Sequence, residues 1–203
     1  MSLSWHSFVR ASMLCALMLP STIQALHGQP NSGDSKLPLR AALVLTPEFC
    51  ATEIKQGEKV WTGVEKFEVG AAACAELEPA LQGIFRQLDK VDAPPAGEIV
   101  ILPRVVSASA TRPTGVTIFN RPKKDLLVVL EWTVKDSAGK TIWFQSVQGT
   151  GTVKSYARGN VSKKTMKILV GDAVRDAAKE SAAKMSSAPE LRKLADDAGP
   201  ARQ

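Results

Sequence analysis

The sequence predicts an α+β fold, an antiparallel sheet of about four to five strands with its helices gathered on one face, and three observations carry that prediction. Asp125 to Lys154 holds two strongly β-forming runs joined by a short polar turn. Two other stretches, Ala71 to Lys90 and Lys163 to about Ser186, place apolar or small residues at spacings of three and four. The elements follow in the order β-β-α-β-β-β-α-α, with no internal repeat and no Gly/Ser linker to divide them, so residues 39–196 read as a single domain.

Taken in order, Arg10 precedes the apolar run from Ala11 to Leu19, followed by Pro20 and the small-polar segment Ser21 to Ala25. That is the pattern of a secretory signal peptide over residues 1–25, cleaved after Ala25, and it sends the chain to the bacterial periplasm or outside the cell. The apolar run is far short of the roughly 20 residues that span a bilayer, so no transmembrane span is expected after cleavage. Cys15 follows Ser12-Met13-Leu14 and lacks the small preceding residue of a lipidation site. Residues 26–38, rich in Gly, Pro, Ser and Asn, read as a flexible leader.

Leu39 to Leu45 is a short apolar run closed by Thr46-Pro47, a buried strand, and Lys59 to Phe67 is a weaker strand. In the first helix Cys74, Leu77, Leu81, Ile84 and Leu88 form one stripe, and Pro79 predicts a kink or a separate first turn. Glu98 to Ser107 is a strand whose Pro103 points to an edge, a bulge or a break. In the hairpin Val128, Leu130, Trp132 and Val134 share one face; Asp136-Ser137-Ala138-Gly139 turns the chain; TIWFQSVQGTGTV returns it. Gly149-Thr150-Gly151 marks a bulge or a place where a neighbour packs closely, since no helix or GK[ST] follows to make it a phosphate loop. Ser162 caps the long helix, Ser187-Ala-Pro-Glu190 opens a short final one, and residues 197–203 should fray.

The chain of 203 residues carries a formal net charge of +6, and removal of residues 1–25 takes away only Arg10, leaving +5. Its remaining histidine, His27, lies in the leader, so the folded region cannot build a Ser-His-Asp or Cys-His arrangement or the usual zinc site. No catalytic residue, metal or cofactor is expected, and the scattered Asp and Glu read as solvated surface. Cys50 and Cys74 are an even pair in an oxidising compartment, open to a disulfide or to two buried thiols.

The unusual feature is electrostatic. If the strand ending near Ser107 runs antiparallel to the hairpin, the loops at 108–124 and 154–164 leave the same end of the sheet. That would gather Arg112, Arg121, Lys123, Lys124, Lys154, Arg158, Lys163 and Lys164, with Phe119 and Tyr156 among them. Such a mixture suits an anionic lipid, lipopolysaccharide or an acidic envelope protein rather than nucleic acid.

On LRAALVLTPEF, AELEPALQGIFRQL, LEWTVKDSAGKTIWFQSVQGTG and DAVRDAAKESAAKMSSAPELRK, the chain resembles small uncharacterised bacterial envelope proteins of a lipoprotein-like, sheet-plus-two-helix type, over Leu39 to Leu194. More distantly it is similar to lipoproteins that assist outer-membrane assembly or transport, from which it departs by lacking a lipobox cysteine. The resemblance implies an envelope protein, rests on no catalytic motif and carries over no binding residue. The sequence therefore supports a non-enzymatic envelope protein acting through its basic end; alternatives are an accessory subunit of an envelope transport or secretion assembly, and a hydrolase using carboxylates alone.

Overall fold

The structure, a computed structural model, describes residues 36–56, 65–111, 123–154 and 162–197. Its topology follows from the first strand, β1 (Leu37–Val44), which is buried at all but two positions, Pro38 and Arg40. A strand apolar on both faces belongs in a sheet interior with a neighbour on each side. β1 has two parallel neighbours, β4 (Phe85–Val91) and β5 (Ile99–Ala110). β5 then pairs antiparallel with β6 (Lys123–Lys135), and β6 with β7 (Thr141–Lys154), giving the order β4-β1-β5-β6-β7. The α+β class holds, but the sheet is mixed where an antiparallel one was expected.

Between β1 and β4 the chain forms α1 (Pro47–Cys50), a small antiparallel pair of β2 (Ile54–Gln56) and β3 (Glu65–Phe67), and α2 (Val69–Leu81). The helix expected to reach Lys90 thus ends at Leu81, and its last third becomes strand β4. Ile84 and Leu88 continue the helical spacing, but the unpaired side of β1 outweighs it: the Leu37 amide donates to the Ile84 carbonyl at 2.7 Å and parallel pairing follows to Val91. Pro79 does not divide α2; it stands within the last turn, so the one bond its missing N–H forgoes falls just before the helix ends. Of the strand expected over 59–67 only Glu65–Phe67 lies within the described residues, and β2 was not anticipated.

Pro103 is accommodated because β1 stops pairing at Ile101, so that side of β5 is free from Leu102 onward, while Pro103 stands opposite Trp132 in the ladder to β6. The bulge falls later, between Val105 and Ser107. Gln56 covers the free edge at the end of β5: its side-chain carbonyl accepts from the Ala110 amide at 2.6 Å and its NH2 donates to the Ala110 carbonyl at 3.2 Å.

The β6–β7 hairpin closes as its turn residues dictate. The Asp136 carboxylate accepts from the Ala138 and Lys140 amides at 3.0 and 2.9 Å, and Gly139 takes a φ of 82°. From Lys124 to Val134 alternate β6 residues are buried and the intervening ones half-buried, so one face is covered and the other is open to solvent. α3 (Lys163–Ser187) covers it from above β7, capped by Ser162, whose hydroxyl accepts from the Thr165 amide at 3.1 Å; α4 (Pro189–Asp197) follows and buries Leu191 and Ala195. At Gly149 and Gly151 a Cβ would overlap backbone atoms of Leu169, Ala173 and Ala177, so these glycines let α3 lie directly on the strand. Cys50 and Cys74 are disulfide-bonded with their Cα atoms 5.7 Å apart, joining the end of α1 to α2. Closing a loop of this size contributes about 3 kcal/mol in chain-entropy terms.

Candidate functional site

β5 leaves the sheet beside the start of β6, with Ala110 opposite Leu126, and β7 leaves beside the same start, with Lys154 opposite Lys123. α3 lies antiparallel on β7, with Leu169 and Ala173 against Gly151 and Ala173 and Ala177 against Gly149, so its first residues, Ser162 to Lys164, stand toward the end of β7. The described ends of both basic loops therefore stand at one end of the sheet. They are stitched together: Thr111 and Asp125 exchange backbone and side-chain bonds of 2.9 to 3.3 Å, and the Thr152 hydroxyl donates to the Asp125 carboxylate at 2.7 Å.

Of the ten residues the sequence nominates for binding, Lys123, Lys154, Lys163 and Lys164 are exposed at this end. Arg112, Phe119, Arg121, Tyr156 and Arg158 lie outside the described residues. Lys124 is a correction. It shares the face of Leu126, Val128 and Leu130, so its side chain turns toward the helices, is 4% exposed, and ends on the Glu65 carboxylate of β3. It joins the small β2–β3 sheet to the large one and is not presented to a ligand.

The four exposed lysines are placed against the local electrostatics. Lys123 and Lys154 are directly opposite across two strands, where like charges repel. The first turn of α3 has no acid and carries Lys163 and Lys164, where the positive end of the helix dipole disfavours cations by roughly 0.3–1 kcal/mol each. Among the described residues none of the four makes an ion pair.

A second feature was missed in the sequence. A groove of about 460 Å³ runs between the first turns of α2 and α3, floored by Ala72, Ala75, Met166 and Val170 and flanked by Glu53 and Lys66 of the β2–β3 region. Ion pairs cross between its two helices from Glu68 to Lys167 at 3.9 Å and from Glu76 to Arg175 at 2.7 Å. Both partners advance by eight residues between these pairs, so α2 and α3 run parallel. Bonding to Glu76 raises the Arg175 guanidinium above its ordinary range. The available signal was Gly171, a glycine inside a long helix, which lines this groove.

Among the described residues no group of three His, Cys, Asp or Glu side chains stands where a metal ion would be held, and no helix is long and apolar enough to cross a membrane. Several carboxylates are spent on cations, as in Arg104–Glu131 and Arg175–Glu76.

No protein-family model and no curated protein matches the chain. Among solved structures it is similar to a minor lipoprotein from Acinetobacter baumannii, at 12% identity over 75% of this chain and 94% of that one, with a TM-score of 0.42. It is similar also to a candidate lipoprotein from Caulobacter crescentus CB15, at 16% identity over 68% and 90% of the two chains and a TM-score of 0.39. Uncharacterized lipoprotein B from Nitrosomonas europaea matches at 14% identity over 80% and 86%, with a TM-score of 0.39. These three structural neighbours are lipoproteins from three different bacteria.

Proposed function

We propose that the protein is a non-enzymatic component of the bacterial envelope, periplasmic or secreted, that holds an anionic envelope molecule at the basic end of its sheet. The observation that carries this reading is the meeting of Lys123, Lys154, Lys163 and Lys164 at one end, two of them opposed across strands and two at a helix start. These placements are unfavourable in isolation, and an anion would relieve them together. Each cation near an anionic surface contributes about 1 kcal/mol, so several must act jointly. Replacing all four with Gln should weaken binding to phosphatidylglycerol vesicles or lipopolysaccharide at low salt at least tenfold while leaving the melting temperature nearly unchanged. Undiminished binding would rule the reading out.

A further inference from the structure

The face of the sheet turned away from the helices carries an apolar strip. Strand pairing sets Leu102 of β5, Thr133 of β6 and Phe144 of β7 in one row. Each alternates with buried neighbours, Ile101, Trp132 and Trp143, and so stands on the opposite face. Val44 and Val91, paired on β1 and β4, lie on that face too, and Leu127 and Val129 follow along β6. Among the described residues, none of Val91, Leu102, Leu127, Val129 and Phe144 packs against the core beneath the helices, and Phe144 is 57% exposed. An apolar strip of this extent on a surface marks a docking face.

The charges on the same face have an order. Lys123 and Lys154 close it at the basic end, neither in an ion pair among the described residues. Between them and the row of Phe144 the acids are engaged. The Asp125 carboxylate accepts from the Thr152 hydroxyl, and Arg104, itself 69% exposed, donates to Glu131 at 2.9 Å. Past the row acids return, with Asp89 on β4 and Asp136 in the hairpin turn.

We propose that this face docks on the surface of an anionic phospholipid bilayer, with Phe144 seated among the headgroups and Lys123 and Lys154 against the phosphates. The proposal rests on the reading of the basic end and names its partner. Charge complementarity selects that partner, because free cations adjoin the apolar strip and its acids are held by neighbours. A small soluble anion would meet the lysines and leave the strip bare. A second copy would cover the strip but bring the same lysines with no free acid to meet them. A bilayer surface, phosphate above acyl chain, satisfies both. The contact stops at the row of Phe144, since beyond it Asp89 and Asp136 would face the phosphates.

The test compares two exposed apolar side chains on opposite sides of the molecule, Phe144 on the sheet and Ile168 on α3, which is 50% exposed. Binding to phosphatidylglycerol vesicles is read by cosedimentation. Phe144→Ala should weaken it at least threefold and Ile168→Ala should leave it unchanged, with both melting temperatures near that of the wild type. On vesicles brominated in the acyl chains, Phe144→Trp should lose emission relative to the wild type, whereas Ile168→Trp should not. Equal effects of the two alanines, or an unquenched Phe144→Trp on vesicles that hold the protein, overturn the proposal. So does a wild-type dimer that Phe144→Ala dissociates, which would give the face to a second copy. The four-lysine Gln variant reports on the basic end separately: a protein that holds lipopolysaccharide through those lysines but ignores vesicles loses this partner and keeps that reading.

Discussion

The two sides of α3 use the same kind of residue to opposite ends. Toward β7, Gly149 and Gly151 bring the helix backbone onto the strand, and the space a side chain would fill is taken. Toward α2, Gly171 lies beside a groove of about 460 Å³ with nothing near its missing Cβ. The first contact is closed by the fold itself; the second is left open by it. Glycine alone therefore does not mark a close-packed contact; the atoms that stand around the absent side chain do.

The comparison breaks first on the closed side. Gly149→Val should destabilise by about 3 kcal/mol or more, because backbone atoms of Ala173 and Ala177 stand where the side chain must go. A thermal melt lowered by less than a few degrees would mean that α3 does not lie on β7 as described. Close behind comes the disulfide that ties α1 to α2. Cys50→Ala with Cys74→Ala should cost about 3 kcal/mol, measurable as a lower denaturant midpoint, and reduction of the wild type should reproduce it.

A smaller loss is expected where the β2–β3 pair meets the large sheet. Glu65→Ala leaves the buried Lys124 ammonium without its carboxylate and should cost about 1–3 kcal/mol, whereas Lys123→Ala, at an exposed neighbour, should cost almost nothing. Equal effects at the two positions would erase the distinction between a structural and a presented lysine. On the open side the sign reverses: Gly171→Ala should stabilise the monomer by about 1 kcal/mol, since helix propensity improves and nothing is displaced. A destabilised Gly171→Ala would place a neighbour where none is described.

These contrasts also show which parts of the fold could be read from the chain. The β6–β7 hairpin was legible because its determinants are local: alternation fixes the buried face, and Asp136 and Gly139 close the turn within five residues. The close packing at Gly149 and Gly151 and the Ser162 cap were legible for the same reason. β4 was not, since Ile84 and Leu88 fit a helical stripe and only the unpaired edge of β1, more than forty residues earlier in the chain, turns the segment from Phe85 onward into a strand. The burial of Lys124 lay within reach: continuing the alternation of Leu126 and Val128 by one step places it on the core face, although its basic neighbours read as loop. The groove had no local signature beyond one glycine, because its walls come from elements about a hundred residues apart in sequence.

Whether the basic end acts as a site or only adds to net charge is decided by position. Two variants with equal charge loss separate these: Lys123, Lys154, Lys163 and Lys164 replaced by Gln, and Lys135, Lys140, Lys179 and Lys193 replaced by Gln elsewhere on the molecule. Their affinities for anionic vesicles should be compared across a salt series. The account predicts that the first set weakens binding at least tenfold and flattens its salt dependence while the second stays within twofold of the wild type. Equal loss in both sets would show that net charge alone drives the association and would contradict a site at that end of the sheet.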